Sequence, residues 1–251
     1  MKTIIEKDGR GVLKIVLNRP DKRNAVDFDV MEAISEALDR AETDPDVKMV
    51  TLTGTGKAFC SGGDLSVFHE LYTKEEAYGM LSKMGSILYR LLTLEKPTAA
   101  VIQGTAVGGG CELAAACDFR IAASHVKLGF VQGRLGITTG WGGSTMLFEK
   151  LPHAQALEML SGARLYTAEE AHALGFLQKV SPADGLEKDF IEWSEPILKQ
   201  SSHVLASYKR YASSKWKSPS FYERFMNEIE RCAELWESEE HHEAVARFMN
   251  K

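Results

Sequence analysis

The sequence lacks the features that would place it in several large functional classes. No stretch approaches the ~20 consecutive apolar residues needed to span a bilayer. The opening MKTIIEKDGR carries charges within its first ten residues and has no apolar core, so it does not read as a signal peptide. The expectation is a cytoplasmic chain with no membrane partner. Cysteine is scarce: Cys60, Cys111, Cys117 and Cys232 form no CxxC pair, and no two histidines stand at metal-ligand spacing. The cysteines read as small buried apolar residues in a reducing compartment, and no metal site is expected. The seven histidines are scattered through polar helical contexts and read as surface groups. A net charge of −5 argues against a nucleic-acid partner. It still permits a phosphorylated ligand held by a local Lys and Arg cluster. Gly-x-x-x-x-Gly-Lys-Ser/Thr, Gly-x-Gly-x-x-Gly and Gly-x-Ser-x-Gly are all missing, since Gly108-Gly109-Gly110 has the wrong spacing and Ser61 has no evident base. Nothing therefore points to a nucleoside triphosphate, a dinucleotide or a serine nucleophile.

What is present alternates between strands and helices. Residues 2–17 read as a hairpin broken by Gly9 and Gly11, and Asn18-Arg19-Pro20-Asp21 as a turn. Val30, Met31, Ile34, Ala37, Leu38 and Ala41 recur at helical spacing in 27–43, with Asp27 as a cap. A buried strand at 47–54 leads to the Gly-rich turn Ser61-Gly62-Gly63-Asp64 and an amphipathic helix at 74–95. A second apolar strand, 98–103, leads to Gly108-Gly109-Gly110, a helix at 111–117 and a strand at 118–123. Shorter helices are expected at 144–150, 152–161 and 167–174. The alternation predicts an α/β fold built from repeated ββα-like turns, although no sequence self-similarity establishes a repeat. Glycine disappears after Gly185, and helices are expected at 186–200, 202–213 and 219–249. This divides the chain into a core, 1–185, and a helical region, 186–251. The helical region carries an apolar stripe of Phe221, Tyr222, Phe225, Met226, Ile229, Cys232, Leu235 and Trp236. The stripe either packs on the chain's own core or contacts another subunit.

The two Gly-rich turns share a context: each follows an apolar strand and precedes a helix. Glycine allows close backbone approach to a ligand, and the free N–H groups of a helix start favour negative charge. Two such turns brought together would aim two amides at one oxygen, which suits a carbonyl gaining charge. Taken singly, either turn is better explained as a tight turn alone.

In combination the motifs are more specific. Asn18-Arg19-Pro20-Asp21-Lys22-Arg23-Asn24-Ala25, Lys57-Ala58-Phe59-Cys60-Ser61-Gly62-Gly63-Asp64-Leu65, Gly104-Thr105-Ala106-Val107-Gly108-Gly109-Gly110-Cys111-Glu112-Leu113 and Gly140-Trp141-Gly142-Gly143 follow one another in the order and spacing of the crotonase (enoyl-CoA hydratase/isomerase) superfamily. The resemblance runs through Leu160-Ser161-Gly162 and Ala168–Gly175 to the closing Phe248-Met249-Asn250-Lys251. It implies a spiral of ββα turns, followed by a C-terminal helical oligomerisation region that packs subunits into a trimer or dimer of trimers. It also implies an acyl-CoA thioester substrate, with coenzyme A arriving as part of the substrate rather than as a permanent cofactor. The Gly63 and Gly109 amides would form the oxyanion hole. Ala25 and its neighbours would face the pantetheine and adenine, Lys22 or Arg23 would meet a phosphate, and Ser61, Gly62, Asp64 and Leu65 would flank the same ligand. Asp64 is also a natural brace for its own turn.

Hydratases of this family use two glutamates around a water. The first matches Glu112, and Gly140 and its neighbours would help hold the water. The second position falls on Gln132, within LGFVQGRLG. Glutamine cannot exchange a proton as a carboxylate does. Glu70, Glu76 or Asp64 are candidate substitutes. Phe130-Val131, Leu135-Gly136-Ile137 and Trp141-Gly142-Gly143, with Ala116-Cys117-Asp118-Phe119-Arg120 before them, are similar to the branch containing methylmalonyl- and ethylmalonyl-CoA decarboxylases. Decarboxylation needs the oxyanion hole and one acid. Three readings follow: a hydratase or isomerase, a malonyl-type decarboxylase, and a non-catalytic acyl-CoA-binding or assembly subunit. Phe68, Leu71, Tyr72 and Met84, with Trp141 opposite, are expected to line the acyl pocket.

Overall fold

The computed structural model describes residues 1–249; the closing Asn250-Lys251 of the sequence resemblance lie outside the described residues. The chain opens with an antiparallel hairpin, β1 (Thr3–Lys7) and β2 (Val12–Leu17), followed by α1 (Phe28–Thr43). Asp27 caps α1 by accepting the Val30 N–H at 3.0 Å, and the apolar stripe expected from the sequence is buried. Then come β3 (Met49–Gly54), β4 (Ala58–Cys60), α2 (Leu65–Phe68) and α3 (Lys74–Thr93). The next turn of chain is β5 (Thr98–Ile102), β6 (Thr105–Val107) and α4 (Gly109–Ala116), and the one after begins with β7 (Phe119–Ala123) and β8 (Lys127–Gly129). Helices α5 (Gly143–Lys150) and α6 (His153–Ser161), strand β9 (Tyr166–Thr167), helix α7 (Ala168–Ala173) and strand β10 (Lys179–Ser181) complete this part.

After the opening hairpin, which gives both its strands to the longer sheet, each of these turns contributes one strand to each of two sheets. The longer sheet has the order β1-β2-β3-β5-β7-β10 and the shorter one β4-β6-β8-β9. Apart from the first hairpin and the β8–β9 pair, neighbouring strands are parallel. Strands covered on both faces read as continuous apolar runs, which is why β3 and β5 are plain in the sequence. The strands β4, β6 and β8 span three residues each, too short for any periodicity to emerge. Their sheet is nevertheless what brings the two Gly-rich turns side by side.

From Leu186 onward the described chain is helical: α8 (Leu186–Leu198), α9 (Ser202–Ser213), α10 (Pro219–Trp236) and α11 (Glu239–Met249). The single helix expected over 219–249 is thus two. Ser238 breaks it, donating its hydroxyl to Leu235 O at 2.6 Å and accepting the His241 N–H at 3.3 Å, a helix-starting pattern typical of serine. On α10, Phe221, Phe225, Ile229, Cys232 and Trp236 are buried in the same hydrophobic cluster as Leu13, Leu52 and Leu88. These residues of the apolar stripe pack on the chain's own core, with Met226 and Leu235 at its margin and Tyr222 exposed. Among the described residues no helix is long and apolar enough to cross a membrane.

Candidate active site

Strands β4 and β6 are parallel neighbours, so the turns that follow them leave the short sheet at the same edge. They touch: a Cβ on Gly62 would lie 3.0 Å from the Gly109 amide nitrogen. Gly109 is the first residue of α4, so its N–H has no partner within the helix. Neither that N–H nor the Gly63 N–H meets a backbone acceptor among the described residues. The Trp141 ring lies flat enough on this pair that a Cβ on Gly109 would come within 2.2 Å of it, and one on Gly63 within 3.7 Å. At the far end of α4, Arg120 and Lys150 donate to the carbonyls of Ala114, Ala115 and Cys117. Cations there complement the helix dipole whose positive end faces Gly109.

The turn between β2 and α1 is bound to this edge. Val26 N donates to Gly62 O at 2.8 Å, Asp64 N to Val26 O at 2.9 Å, and Ser61 N to Arg23 O at 3.1 Å. Arg23 and Asn24 both have positive φ, 50° and 56°. The strain is held by the buried Asn24 side chain, which accepts from Arg19 N and donates to Thr55 O and Ala58 O. Asp64 accepts from Ser66 N, Ser66 Oγ and, at 2.7 Å, Arg19. Burial alone would raise its pKa, but the bonds from Ser66 and Arg19 outweigh it and hold the carboxyl below its ordinary value. Its oxygens are occupied as a brace.

A cavity of about 510 Å³ opens beside these turns. Lys22, Arg23, Ala25, Ser61, Gly62, Gly63, Asp64, Leu65, Gly109, Glu112, Gln132 and Gly140 all line it, with Lys22 and Arg23 exposed and Glu112 and Gln132 buried. The structure thus gathers every site residue expected from the sequence around one space. The acyl wall is drawn differently. Phe68 and Trp141 line it, whereas Leu71, Tyr72 and Met84 do not. Met84 is buried in the core, and Tyr72 is 60% exposed against His242. Met80 and Leu81, about one turn earlier on α3, take their place, with Ile137, Trp236 and Phe248 opposite.

Glu112 lies deep in the cavity wall, 2% exposed. Its Oε1 accepts the N–H groups of Trp141 at 2.8 Å and Gly143 at 3.0 Å, and its Oε2 accepts from Gln132 Nε2 at 2.8 Å. Burial pushes its pKa up to about 7, the Glu228 carboxylate adds to the rise, and the three hydrogen bonds oppose it. Gln132 opens a 3₁₀ turn, and its Oε1 is buried without a donor among the described residues. The remote acids do not reach the site. Glu76 accepts the Tyr72 and Thr73 N–H groups at the start of its own helix, and neither it nor Glu70 lines the cavity. Asp21 lines it but is exposed at the mouth. Among the described residues, Glu112 is the one buried acid there that is not already tied to a cation.

Two titratable residues also escaped the sequence reading. His241, expected on the surface, is 1% exposed. It packs 4.5 Å from the Trp236 ring with Nδ1 2.7 Å from Leu135 O, and burial lowers its pKa. Glu228 accepts from Thr139 Oγ1, Ser144 N and Thr145 N. A signal for it was present: it lies three residues after Phe225 and four before Cys232, a carboxylate on the apolar stripe of α10.

A spiral of ββα turns, two free amides meeting at one sheet edge and a buried carboxyl opposite define an enzyme of the crotonase fold. A profile of the enoyl-CoA hydratase/isomerase family matches residues 7–251, and the chain belongs to that family. It is 32% identical over 246 residues to an ethylmalonyl-CoA decarboxylase of Bos taurus, covering 97% of this chain and 80% of that one. It is also 32% identical over 250 residues to a short-chain-enoyl-CoA hydratase of Clostridium acetobutylicum, covering 99% and 94%. The crystal structure of a carnitinyl-CoA hydratase from Mycobacterium avium superposes with a TM-score of 0.87 at 31% identity, over 99% of this chain and 95% of that one.

Proposed function

We propose that this enzyme decarboxylates a short malonyl-type acyl-CoA thioester. The observation that carries the reading is the Gln132 Nε2–Glu112 Oε2 hydrogen bond of 2.8 Å, which puts an amide where a second carboxylate would be needed. With the thioester oxygen between the Gly63 and Gly109 amides, the bond from Cα to the carboxylate breaks and CO2 departs. Its electron pair becomes the enolate, stabilised by the two N–H donors. Glu112 then delivers its proton to Cα and is reprotonated from solvent. A carboxyl with a pKa of about 7 keeps its proton on a substantial fraction of molecules at neutral pH, and in that form it does not repel the incoming carboxylate. Phe68, Met80, Leu81 and Ile137 offer the carboxylate an apolar wall, which favours its loss.

In this reading the CoA nucleotide lies at the mouth with its phosphates near Lys22 and Arg23, and the pantetheine runs past Ala25, Ser61, Gly62 and Leu65. Asp64 acts through Arg19, as a brace. We further propose a cytoplasmic trimer or dimer of trimers assembled through α8–α11. Exposed Val204, Tyr208 and Tyr211 fall on one face of α9 and support this, and a light-scattering mass of one chain at micromolar concentration would rule it out.

A second reading, hydration of a short enoyl thioester, is favoured by one feature. The donor-free Gln132 Oε1 beside Glu112 is an acceptor pair on which a water would dock. Incubation with methylmalonyl-, ethylmalonyl- and crotonyl-CoA, followed by mass spectrometry, separates the two. We expect CO2 loss from the malonyl-type thioesters and feeble hydration of crotonyl-CoA. Robust hydration without CO2 loss overturns the proposal.

A further inference from the structure

Helix α5 begins against two carboxylates from distant parts of the chain. Glu112, on α4, accepts the N–H groups of Trp141 and Gly143. Glu228, on α10, accepts those of Ser144 at 2.9 Å and Thr145 at 2.7 Å, together with the Thr139 hydroxyl at 2.5 Å. All of these partners are neutral. The positive end of one short helix offers only about half an elementary charge, enough to favour one carboxylate but not two side by side. When like charges compete in this way, the group that is worse solvated keeps its proton. Glu112 is buried, whereas Glu228 is half-buried.

We propose that Glu228 is a positioning residue for Glu112: from α10 it clamps the 139–145 wall, and its charge at the shared helix end holds the proton on Glu112. The clamp is reinforced at Gly142, whose φ of 89° and contact with the Phe225 ring leave no room for a side chain. A Cβ there would lie 1.9 Å from Phe225. The other titratable groups facing Glu112 are the thiols of Cys111 on α4 and Cys232 on α10, both pushed up by burial and therefore neutral. Burial is the larger cause of the rise at Glu112, and Glu228 is the carboxyl beside it at the shared helix start. This rests on the reading of Glu112 as the proton donor, but the coupling between the two carboxyls can be tested without turnover.

The test is a 13C NMR titration of the full-length protein labelled at glutamate Cδ, with the Glu112 signal assigned by its loss in Glu112→Gln. In the parent, Glu112 is expected to titrate well above an ordinary glutamate. In Glu228→Gln its midpoint is expected to fall by about one pH unit, the size of shift a neighbouring like charge produces. The upper limb of the kcat/KM profile should move with it. Thr139→Val loosens the clamp but retains the charge, and Glu228→Asp also retains it; both should leave the midpoint high. An ordinary midpoint in the parent overturns the proposal even if Glu228→Gln fails to fold. So does a folded Glu228→Gln with an unmoved midpoint, or a Thr139→Val that shifts it equally. If Glu112→Gln still decarboxylates, the functional reading fails while the coupling stands.

Discussion

The two walls of the cavity are made from different material. In the proposed reading the oxyanion wall is backbone: two amides, at the ends of adjacent short strands, close in sequence to the elements that position them, and the acid wall is what faces it. The acid wall is side chain. Glu112 from α4 and Glu228 from α10 converge on the start of α5 and the residues before it, 139–145, and Gln132 from a 3₁₀ turn joins them through Glu112. A wall of amides asks only that glycine stand where a side chain cannot. A wall of carboxyls depends on what surrounds each one, so the same Glu112 can serve as base or acid according to its neighbours.

The comparison is broken most severely at the acid. Glu112→Gln keeps acceptors for Trp141 N and Gly143 N yet removes the proton carrier, so kcat/KM should fall by ~10²–10⁴-fold or more with little loss of thermal stability. A variant that retains activity would mean the acid wall is elsewhere. On the other side, Gly109→Ala drives a Cβ into the Trp141 ring and displaces a donor. A loss of ~10²–10³-fold, mainly in kcat, is expected from steady-state kinetics. Gln132→Glu converts the acid wall to a carboxyl pair at hydrogen-bond distance, which must share one proton. Crotonyl-CoA hydration, expected to be feeble in the parent, should rise by up to ~10²-fold; no gain would show that the position is not the one that matters.

The pH dependence sharpens the contrast, because amides do not titrate. Glu112 has a folded pKa of about 7, raised from 4.5. Its contribution to stability is therefore full below pH 4.5 and is lost as pH rises through about 7, by roughly 3 kcal/mol in all. Thermal melts across that window should show the decline in the parent and a flatter profile in Glu112→Gln. Decarboxylation should likewise fall tenfold per pH unit above 7, as the acid form is depleted. The smallest effect belongs to the mouth. Lys22→Ala should raise KM by roughly threefold to fivefold, less at high salt, with kcat unchanged.

The sequence disclosed the two walls unequally. Gly63 and Gly109 were legible because an apolar strand, a glycine turn and a helix start form a local pattern. Strands β4, β6 and β8 were not, because three residues cannot show a period. The apolar lining was misplaced along the chain: Thr73 caps α3, so Leu71 and Tyr72 precede the helix, and Met80 and Leu81 line the cavity while Met84, a turn further along the same face, lies in the core. Gln132 could be aligned, but its bond to Glu112 is a tertiary fact. Glu228 and His241 needed the packing of α10 and α11, which fixes their surroundings and leaves little trace in residue type.

The distance along the chain between the acid and its clamp has a consequence for synthesis. Thr139, Ser144 and Thr145 wait for a partner 89, 84 and 83 positions downstream. Chains leave the ribosome N-terminus first at roughly 5–20 residues per second, so on the order of ten seconds separates the emergence of Glu112 from that of Glu228. During that interval the residues of both Gly-rich turns are out while the clamp on 139–145 is missing. If the proposed roles hold, a nascent chain ending before Pro219 would carry both amide turns beside a Glu112 without its Glu228 neighbour until α10 docks.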